Sequence, residues 1–231
     1  MPKAQRQRAV APISGAYRYE RDMMSQLKRA LPAALLLRRP PTVSAPRIAV
    51  TPSIGLQIPD ILIGLGVPQH RTSLRSLTYV DAAVLATIDV LRRSEIGDIQ
   101  SRVNIGDRAL RNSLRRLESH GIIGHTRADR YLLSREYSRS RIELVAVEVK
   151  LRRWREALDQ AVRYSKFADR TYVVLDASQF NPERHIVREF SSRGIGLLIQ
   201  AEETVQLIRQ ARRSLNRAPD WFVALRHVTE R

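Results

Sequence analysis

The sequence predicts an α/β protein in which a mixed sheet flanked by helices is built from two separated parts of the chain. Three observations lead to this prediction. Short apolar strands are predicted at residues 47–50 and 56–63, and strands alternate with helices again from residue 143 onwards. Residues 71–134, between these two parts, have the pattern of short amphipathic helices followed by a hairpin. Alternating strands and helices are typical of a sheet covered by helices, so the intervening stretch is expected to be a separate module.

The best-defined element is a strand at residues 143–151. Side chains alternate between the two faces of a strand, and one face here is wholly apolar: Val145, Val147, Val149 and Leu151. The other face begins apolar and then presents Glu148 and Lys150, about 7 Å apart along the strand. An unpaired charge in a core costs several kcal/mol (about 3 to 5). The end of this strand is therefore predicted to open into a cleft or to hold a partner such as a divalent metal ion.

The charge of the chain indicates a polyanionic partner. The formal net charge is +17 over 231 residues, and only four of the 40 basic residues are lysines. Lys150 in an apolar strand therefore suggests a need for a compact charge with an adjustable pKa. Nucleic acid is the first expectation for the partner and an anionic membrane surface the second. A genome rich in arginine codons is the alternative explanation of the charge.

Composition also excludes several classes of site and location. With no cysteine there is no disulfide or thiolate zinc site, and the five histidines show no ligand spacing. A bound metal should therefore be a hard cation held by oxygen atoms. No apolar run approaches the roughly 20 residues of a membrane span, so no membrane-spanning segment is expected. With nucleic acid preferred over a membrane surface, no membrane is expected among the partners. Residues 1–16 are predicted to be a flexible basic arm without the apolar core of a signal peptide, which favours a cytoplasmic, nucleoid-associated protein.

The first part of the sheet carries charges that need an explanation. A helix is predicted at residues 17–37, with Glu20 near its start and Pro32 expected to end or kink it. Residues 39–46 are predicted to be a linker. Within the strand predicted at residues 56–63, Pro59 would confine the strand to an edge or a bulge. The neighbouring Asp60 is a second charge where a core strand should be neutral.

The module at residues 71–134 resembles a winged helix-turn-helix over its whole length. Three helices are predicted: one at residues 81–93, a short one that begins after a cap at Ser94, and one at residues 108–120. A hairpin at residues 122–134 follows them. The third helix is predicted to expose one polar stripe: Arg108, Arg111, Asn112 and Arg115. Such a stripe suits the major groove of DNA, and Arg127 and Arg130 at the hairpin tip would reach phosphates or the minor groove. A solvated arginine-rich helix and a protein-binding winged helix are the alternatives.

The last part of the chain returns to alternating strands and helices after a polar linker at residues 135–141. A helix is predicted at residues 152–168, with Gln160 and Tyr164 one turn apart on the same face. The remaining elements are predicted as a strand at 170–175, a helix at 181–193, a strand at 195–200 and a helix at 219–229.

Three spaced motifs together resemble the PD-(D/E)xK, or restriction-endonuclease-like, nuclease superfamily. They are Pro59-Asp60, Glu148-Val149-Lys150 and the pair Gln160 and Tyr164, in that order after an acidic N-terminal helix. The resemblance covers about residues 17–68 and 138–231, and it departs from the usual pattern in the long interval between Asp60 and Glu148. It implies a nuclease-like core in two parts, residues 17–70 and 137–231, interrupted by an inserted winged helix at residues 71–136.

The resemblance also implies roles for individual residues. Asp60 and Glu148, with the Val149 carbonyl, would bind Mg²⁺ or Mn²⁺, and Lys150 would orient or deprotonate the attacking water. Glu20 would assist the metal, and the two residues Gln160 and Tyr164 would position the lysine or the DNA backbone. The alternatives are a surface-helix position for Glu20, and for the pair a helix packed on the sheet through a buried tyrosine hydrogen bond.

The expected function is that of a metal-dependent endonuclease acting on double-stranded or branched DNA. One alternative is a non-catalytic DNA-binding regulator that keeps the nuclease-like core as a scaffold. Another is a nuclease subunit of a defence or transposition complex. Cutting both strands would favour a homodimer.

Overall fold

The computed structural model describes residues 17, 19–36, 46–67, 74–137, 141–202, 204–214 and 218–229. The strands in these ranges are β1 (Arg47–Val50), β2 (Ile61–Leu65), β3 (Ile123–His125), β4 (Tyr131–Leu133), β5 (Glu143–Lys150), β6 (Arg170–Asp176), β7 (Gly196–Ala201) and β8 (Thr204–Arg209). The helices are α1 (Glu20–Leu36), α2 (Tyr79–Leu91), α3 (Ile96–Arg102), α4 (Asp107–Ser119), α5 (Trp154–Tyr164), α6 (Arg184–Ser192) and α7 (Pro219–Thr229).

Six of the strands form one mixed sheet in the order β1-β2-β5-β6-β7-β8. β1, β2 and β5 pair antiparallel, β5, β6 and β7 pair parallel, and β8 returns antiparallel to β7. The parallel strands are joined by α5 and α6, as parallel pairs require a crossover connection. The prediction of an α/β fold with a mixed sheet flanked by helices is confirmed at this level.

The two faces of β5 are covered by different helices, as the alternation of its side chains predicts. Its three valines, at the odd-numbered positions 145, 147 and 149, pack in one cluster with Met23, Leu27 and Leu31 of α1. Leu144 and Ala146 point to the other face, where α7 contributes buried aromatic and aliphatic side chains. Glu143 to Val149 are all buried, and Lys150 is the first partly exposed residue of the strand. The charged end of β5 therefore lies where the strand leaves the core.

The chain leaves the sheet after β2 and returns at β5 through neighbouring points. These strands are adjacent and antiparallel, with Leu65 opposite Glu143. Gly66 follows β2 with φ +70°, and a Cβ atom built on it would lie 2.0 Å from the carbonyl oxygen of Arg141. Only glycine fits such a close approach in this conformation. The whole segment between β2 and β5 is thus an enlarged hairpin connection.

Residues 74–137 contain α2, α3 and α4 followed by the β3–β4 hairpin. Asp81 forms a capping box with Thr78 at the start of α2. Its buried carboxylate also accepts hydrogen bonds from Ser113 at 2.6 Å and Arg116 at 2.6 Å, which ties α2 to α4. The apolar side chains of these helices form one continuous cluster with Trp221 and its neighbours on α7. This segment therefore packs on the sheet through α7.

Several predicted element boundaries are wrong. Ser94 does not cap α3: it is buried and pairs through its backbone with Tyr131, and Glu95 occupies the cap position. Residues 135–137 form a 3₁₀ turn with Tyr137 buried, where a polar linker was expected. α1 continues through Pro32 to Leu36.

The strand predicted at residues 56–63 begins only at Ile61, so Pro59 precedes it and β2 lies inside the sheet. Strand β8 was not predicted. The basic arm at residues 1–16, most of the linker at residues 39–46 and the boundary at residues 70 and 71 lie outside the described residues.

Candidate active site

The register of β2 and β5 brings Asp60 to Glu148. Ile61 lies opposite Val147, so the preceding residue Asp60 falls opposite Glu148. The Oδ2 atom of Asp60 accepts a hydrogen bond of 2.8 Å from the backbone N–H of Val149. Two residues separated by 88 positions therefore meet where β2 begins and β5 ends. The three-motif pattern predicted that they would lie close together.

Glu148 is the centre of a chain of polar contacts although it is only 2% exposed. Its Oε1 atom lies 2.9 Å from Nζ of Lys150. Its Oε2 atom accepts a hydrogen bond of 2.8 Å from the hydroxyl of Tyr164, which also lies 3.1 Å from the carbonyl oxygen of Ile58. The tyrosine has a single proton to donate, so the Glu148 carboxylate and the Ile58 carbonyl share one donor.

Glu20 reaches the same place from the first turn of α1. Its Oε2 atom lies 3.6 Å from Nζ of Lys150, and 41% of its side chain is exposed. Lys150 has only 12% of its side chain exposed, so its ammonium sits between the buried Glu148 and the open side of the site. Helix α1 is held against the sheet by Met23 and Leu27, which gives Glu20 a fixed position relative to β5.

The electrostatics of the site favour neutralisation by a cation. Burial raises the pKa of Asp60, and the hydrogen bond from Val149 only partly offsets this effect. Burial also raises the pKa of Glu148, and the nearby Asp60 charge raises it further. A buried carboxyl group whose ionisation is opposed by a neighbouring carboxylate is a frequent feature of functional sites.

Lys150 is an ammonium in this arrangement. Burial by itself would lower its pKa, but the hydrogen bond and the charge of Glu148 outweigh burial and raise the pKa above its ordinary value. The pKa of the Tyr164 hydroxyl is raised by burial and by the charge of Glu148, so it is a proton donor in this network. Both groups stabilise the negative charge of Glu148.

The oxygen ligands of this site fit a Mg²⁺ ion held by few protein groups. Magnesium takes oxygen ligands, usually one or two carboxylates with several waters retained, and Asp60 and Glu148 would supply that pair. Within the described ranges, no group of three or more histidine, aspartate or glutamate side chains is arranged to hold a metal.

Gln160 and Tyr164 behave differently although both lie on α5. Tyr164 joins the site, whereas the amide oxygen of Gln160 is buried and has no hydrogen-bond partner in the part of the chain that the structure describes. A role for Gln160 in positioning Lys150, and for the Val149 carbonyl as a metal ligand, stays a prediction. The Ile58 carbonyl was not predicted to belong to the site, because a backbone group leaves no side-chain signal in the sequence.

The residues predicted to contact DNA are all on the surface of the helical segment. On α4, Leu110, Leu114 and Leu117 are buried, and the opposite stripe is exposed: Arg108, Arg111, Asn112 and Arg115. Two of these arginines are oriented by neighbours, since Arg111 pairs with Asp107 at 2.9 Å and Arg115 donates to Asn112 at 2.7 Å.

The hairpin between β3 and β4 exposes Arg127 and Arg130, and Arg130 lies 3.3 Å from Glu95. These ion pairs are at the surface, where pairing contributes little to stability. The guanidinium groups can therefore exchange these partners for phosphates at small cost.

Comparison with known proteins places this chain in no family. No family model and no curated protein matches the sequence. A solved structure of a protein of unknown function from Silicibacter pomeroyi is similar over 47% of this chain and 72% of that one, with 22% identity and a TM-score of 0.27. In the described ranges, none of the helices combines the length and the apolarity that crossing a bilayer requires.

Proposed function

We propose that this protein is a metal-dependent DNA endonuclease with a restriction-endonuclease-like core and a winged helix inserted between β2 and β5. The observation that carries the proposal is the meeting of Asp60, Glu148 and Lys150 at the end of β5, joined by Glu20 and Tyr164. These residues come from three distant parts of the sequence. An ordinary surface ion pair does not bring several carboxylates and a lysine together from distant parts of a chain. Metal-dependent hydrolysis of a phosphodiester bond requires such a group in one place.

The reaction is attack by a water oxygen on phosphorus with breakage of the bond to the leaving sugar oxygen. The attacking water releases one proton to solvent, and the leaving oxygen takes up one proton from solvent. When bound to Asp60 and Glu148, Mg²⁺ or Mn²⁺ supplies positive charge against the negative charge that builds up on the phosphate oxygens. The raised pKa of Lys150 favours a role in orienting the water and stabilising charge over a role as base. Tyr164 holds the Glu148 carboxylate in place.

DNA binding is assigned to the α4 stripe and the hairpin tip. The exposed groups of α4 are three arginines and an asparagine, which match the acceptors of guanine and the donor and acceptor pair of adenine in the major groove. The net charge of +17 suits double-stranded or branched DNA, and a homodimer would allow both strands to be cut.

A non-catalytic DNA-binding regulator is the second candidate. It is favoured by the engagement of both Glu148 oxygens, one with Lys150 and one with Tyr164. A carboxylate whose two oxygens are already satisfied by the protein has less need of a metal. A nuclease subunit that requires a partner in a defence or transposition complex would show the same site and no activity alone.

Cleavage assays with the purified full chain test the proposal. Supercoiled, linear and branched DNA are incubated with Mg²⁺, Mn²⁺ or EDTA, with the wild type and with Asp60→Ala and Lys150→Ala. We expect metal-dependent cleavage that both substitutions reduce by at least about a hundredfold. Lys166→Ala is the matched control, because Lys166 is exposed beyond the end of α5 and should cleave like wild type.

Cleavage that persists in EDTA, or that is equal in wild type and both variants, would contradict the nuclease. Circular dichroism of each variant ensures that lost activity is not lost folding. DNA binding without cleavage under every metal condition would support the regulator.

A further inference from the structure

A tight turn next to Asp60 exposes a leucine completely. We call residues 52–59 the finger. Ile54 and Gln57 exchange two backbone hydrogen bonds, of 2.8 and 3.0 Å, around Gly55 and Leu56. Gly55 has φ +61° and Leu56 has no positive φ, which is the pattern of a type II′ turn with glycine first. Leu56 at the tip has a relative exposure of 104%.

The base of the finger is fixed to the candidate active site. Pro52 and Pro59 are buried on either side, and Ile54 is 1% exposed within the core. The backbone N–H of Thr51 donates to the carbonyl of Asp60 at 3.0 Å. The Ile58 carbonyl lies 3.1 Å from the Tyr164 hydroxyl, whose one proton it shares with Glu148. The tip is therefore held at a set position relative to the carboxylates.

Exposed apolar side chains concentrate around this site. Five large apolar side chains are exposed in the described parts of the chain: Tyr19, Leu56, Ile58, Tyr79 and Val90. Leu56 and Ile58 belong to the finger, within four residues of Asp60, and Tyr19 precedes Glu20. Scattered apolar surface residues need no explanation, but a rigid turn with leucine at its tip departs from the glycine, asparagine and serine that turns prefer.

The charge of the chain indicates what the tip could meet. The net charge is +17, and two exposed arginines, Arg152 and Arg153, follow Lys150 of the candidate active site in sequence. An apolar tip on a strongly cationic chain fits a ligand with a negatively charged exterior and an apolar interior. Duplex DNA has this construction, since its phosphates surround stacked bases.

We propose that Leu56 and Ile58 form an apolar wedge that enters the base stack of DNA beside the bond to be cut. Side chains of this kind insert between base steps and unstack them in other DNA-binding proteins. The preferred substrate is then duplex DNA with an already disrupted base step, because the protein does not have to unstack it. This inference rests on the DNA binding of the proposed function, and it adds that the preferred DNA is a duplex with a disrupted base step.

Binding in EDTA tests the wedge without any cleavage. Fluorescence anisotropy compares a labelled duplex with the same duplex carrying two adjacent mismatched pairs. We expect wild type to favour the mismatched duplex by roughly tenfold, and Leu56→Ser to lose the preference while its affinity for the intact duplex is unchanged. Leu56→Met, which keeps the apolar bulk, should retain it. Val90→Ser is the control, because Val90 is also exposed, at 56%, and lies outside the finger.

Two further measurements identify what the tip contacts. A 2-aminopurine base beside the mismatch should change its emission with wild type and not with Leu56→Ser. Analytical ultracentrifugation should give the same molecular mass for both proteins. A lower mass for Leu56→Ser would make the tip a contact between copies of this chain and would overturn the wedge.

The other outcomes separate this inference from the proposed nuclease. Equal affinity of wild type for the two duplexes, or an unchanged preference in Leu56→Ser, overturns the wedge even if DNA is cleaved. A preference that depends on Leu56, together with no cleavage under any metal condition, retains the wedge and contradicts a nuclease that acts alone.

Discussion

The Oδ2 atom of Asp60 accepts a hydrogen bond of 2.8 Å from the backbone N–H of Val149. This bond joins the start of β2 to the end of β5 and places the Asp60 carboxylate beside Glu148. The aspartate is therefore held by the sheet itself and not by a mobile loop. The charge of Asp60 placed in this way raises the pKa of its neighbour Glu148.

Asp60→Asn is expected to stabilise the metal-free protein at neutral pH. Burial raises the pKa of Asp60 above its ordinary value of 3.8, so the folded protein holds this proton more tightly than the unfolded chain. The resulting stabilisation is present below pH 3.8 and is lost as the pH rises through the raised pKa. Asparagine can still accept from Val149 and carries no charge. Melting temperatures in EDTA should therefore agree at acid pH and favour the variant at pH 7.

Glu118→Gln provides the control for this series, since Glu118 is exposed on α4 and its substitution should leave the pH profile unchanged. A wild-type melting temperature above that of Asp60→Asn at pH 7 in EDTA would contradict the raised pKa.

Mg²⁺ is expected to stabilise the wild type and not Asp60→Asn. A ligand that binds only the folded state adds about 3 kcal/mol to the free energy of unfolding at a hundredfold excess over its Kd. The variant lacks one of the two carboxylates of the site. Thermal unfolding with and without Mg²⁺ measures the difference. Equal stabilisation of both proteins would place the ion elsewhere.

Tyr164→Phe is expected to destabilise the protein by about 1–3 kcal/mol. The substitution removes the hydroxyl that bonds Glu148 and Ile58 and leaves buried acceptors without that donor. Urea unfolding measures the loss. Tyr79→Phe, at a tyrosine that is 63% exposed, should change stability by less than about 0.5 kcal/mol, and an equal loss in the two variants would argue against a structural role of the hydroxyl.

Gly66→Ala is expected to destabilise the protein by at least about 2 kcal/mol. Its φ of +70° is unfavourable for alanine by roughly 1–2 kcal/mol, and its Cβ would lie 2.0 Å from the Arg141 carbonyl oxygen. Urea unfolding should show the loss. Gly97→Ala is the matched control, because nothing lies within 4 Å of a Cβ at Gly97, and alanine there should stabilise α3 slightly.

Replacing Arg111 and Arg115 by alanine is expected to weaken DNA binding and to lower the slope of log affinity against log salt by about two, one for each positive charge removed from the DNA interface. Anisotropy titrations over a range of salt concentrations give the slope. Arg188→Ala, at an exposed arginine of α6, should leave it unchanged. A double variant with wild-type affinity would remove α4 from the DNA interface.

The elements that could be predicted from the sequence are those with strong periodicity. The alternation along β5 identified both its faces and the charged end, because a core tolerates few charges. The Pro219–Thr229 helix and the apolar stripe of α4 were found for similar reasons. Where tertiary contacts decide, prediction failed. Helix α1 continues through Pro32 because Leu27 and Leu31, which precede the proline, are fully buried. This packing offsets the cost of a proline inside a helix, about 3 kcal/mol.

The exposure of individual side chains was harder to predict than the presence of helices and strands. β8 was missed because it is a half-buried edge strand whose polar residues hide its alternation. The run at residues 56–63 looked like a strand because apolar residues are expected inside, yet Leu56 lies at the tip of a turn. The glycine at position 55 was the available signal for that turn. No pattern in the sequence could have shown that the Ile58 carbonyl would meet Tyr164.

The close approach of Gly66 to Arg141 bears on how such a chain can change over evolutionary time. Because the chain leaves β2 and enters β5 at residues in contact with each other, these two strands can stay paired whatever the length of the segment between them. Segments of other lengths can then be inserted between β2 and β5 while Asp60 and Glu148 stay together, provided that each inserted segment covers the apolar side of α7.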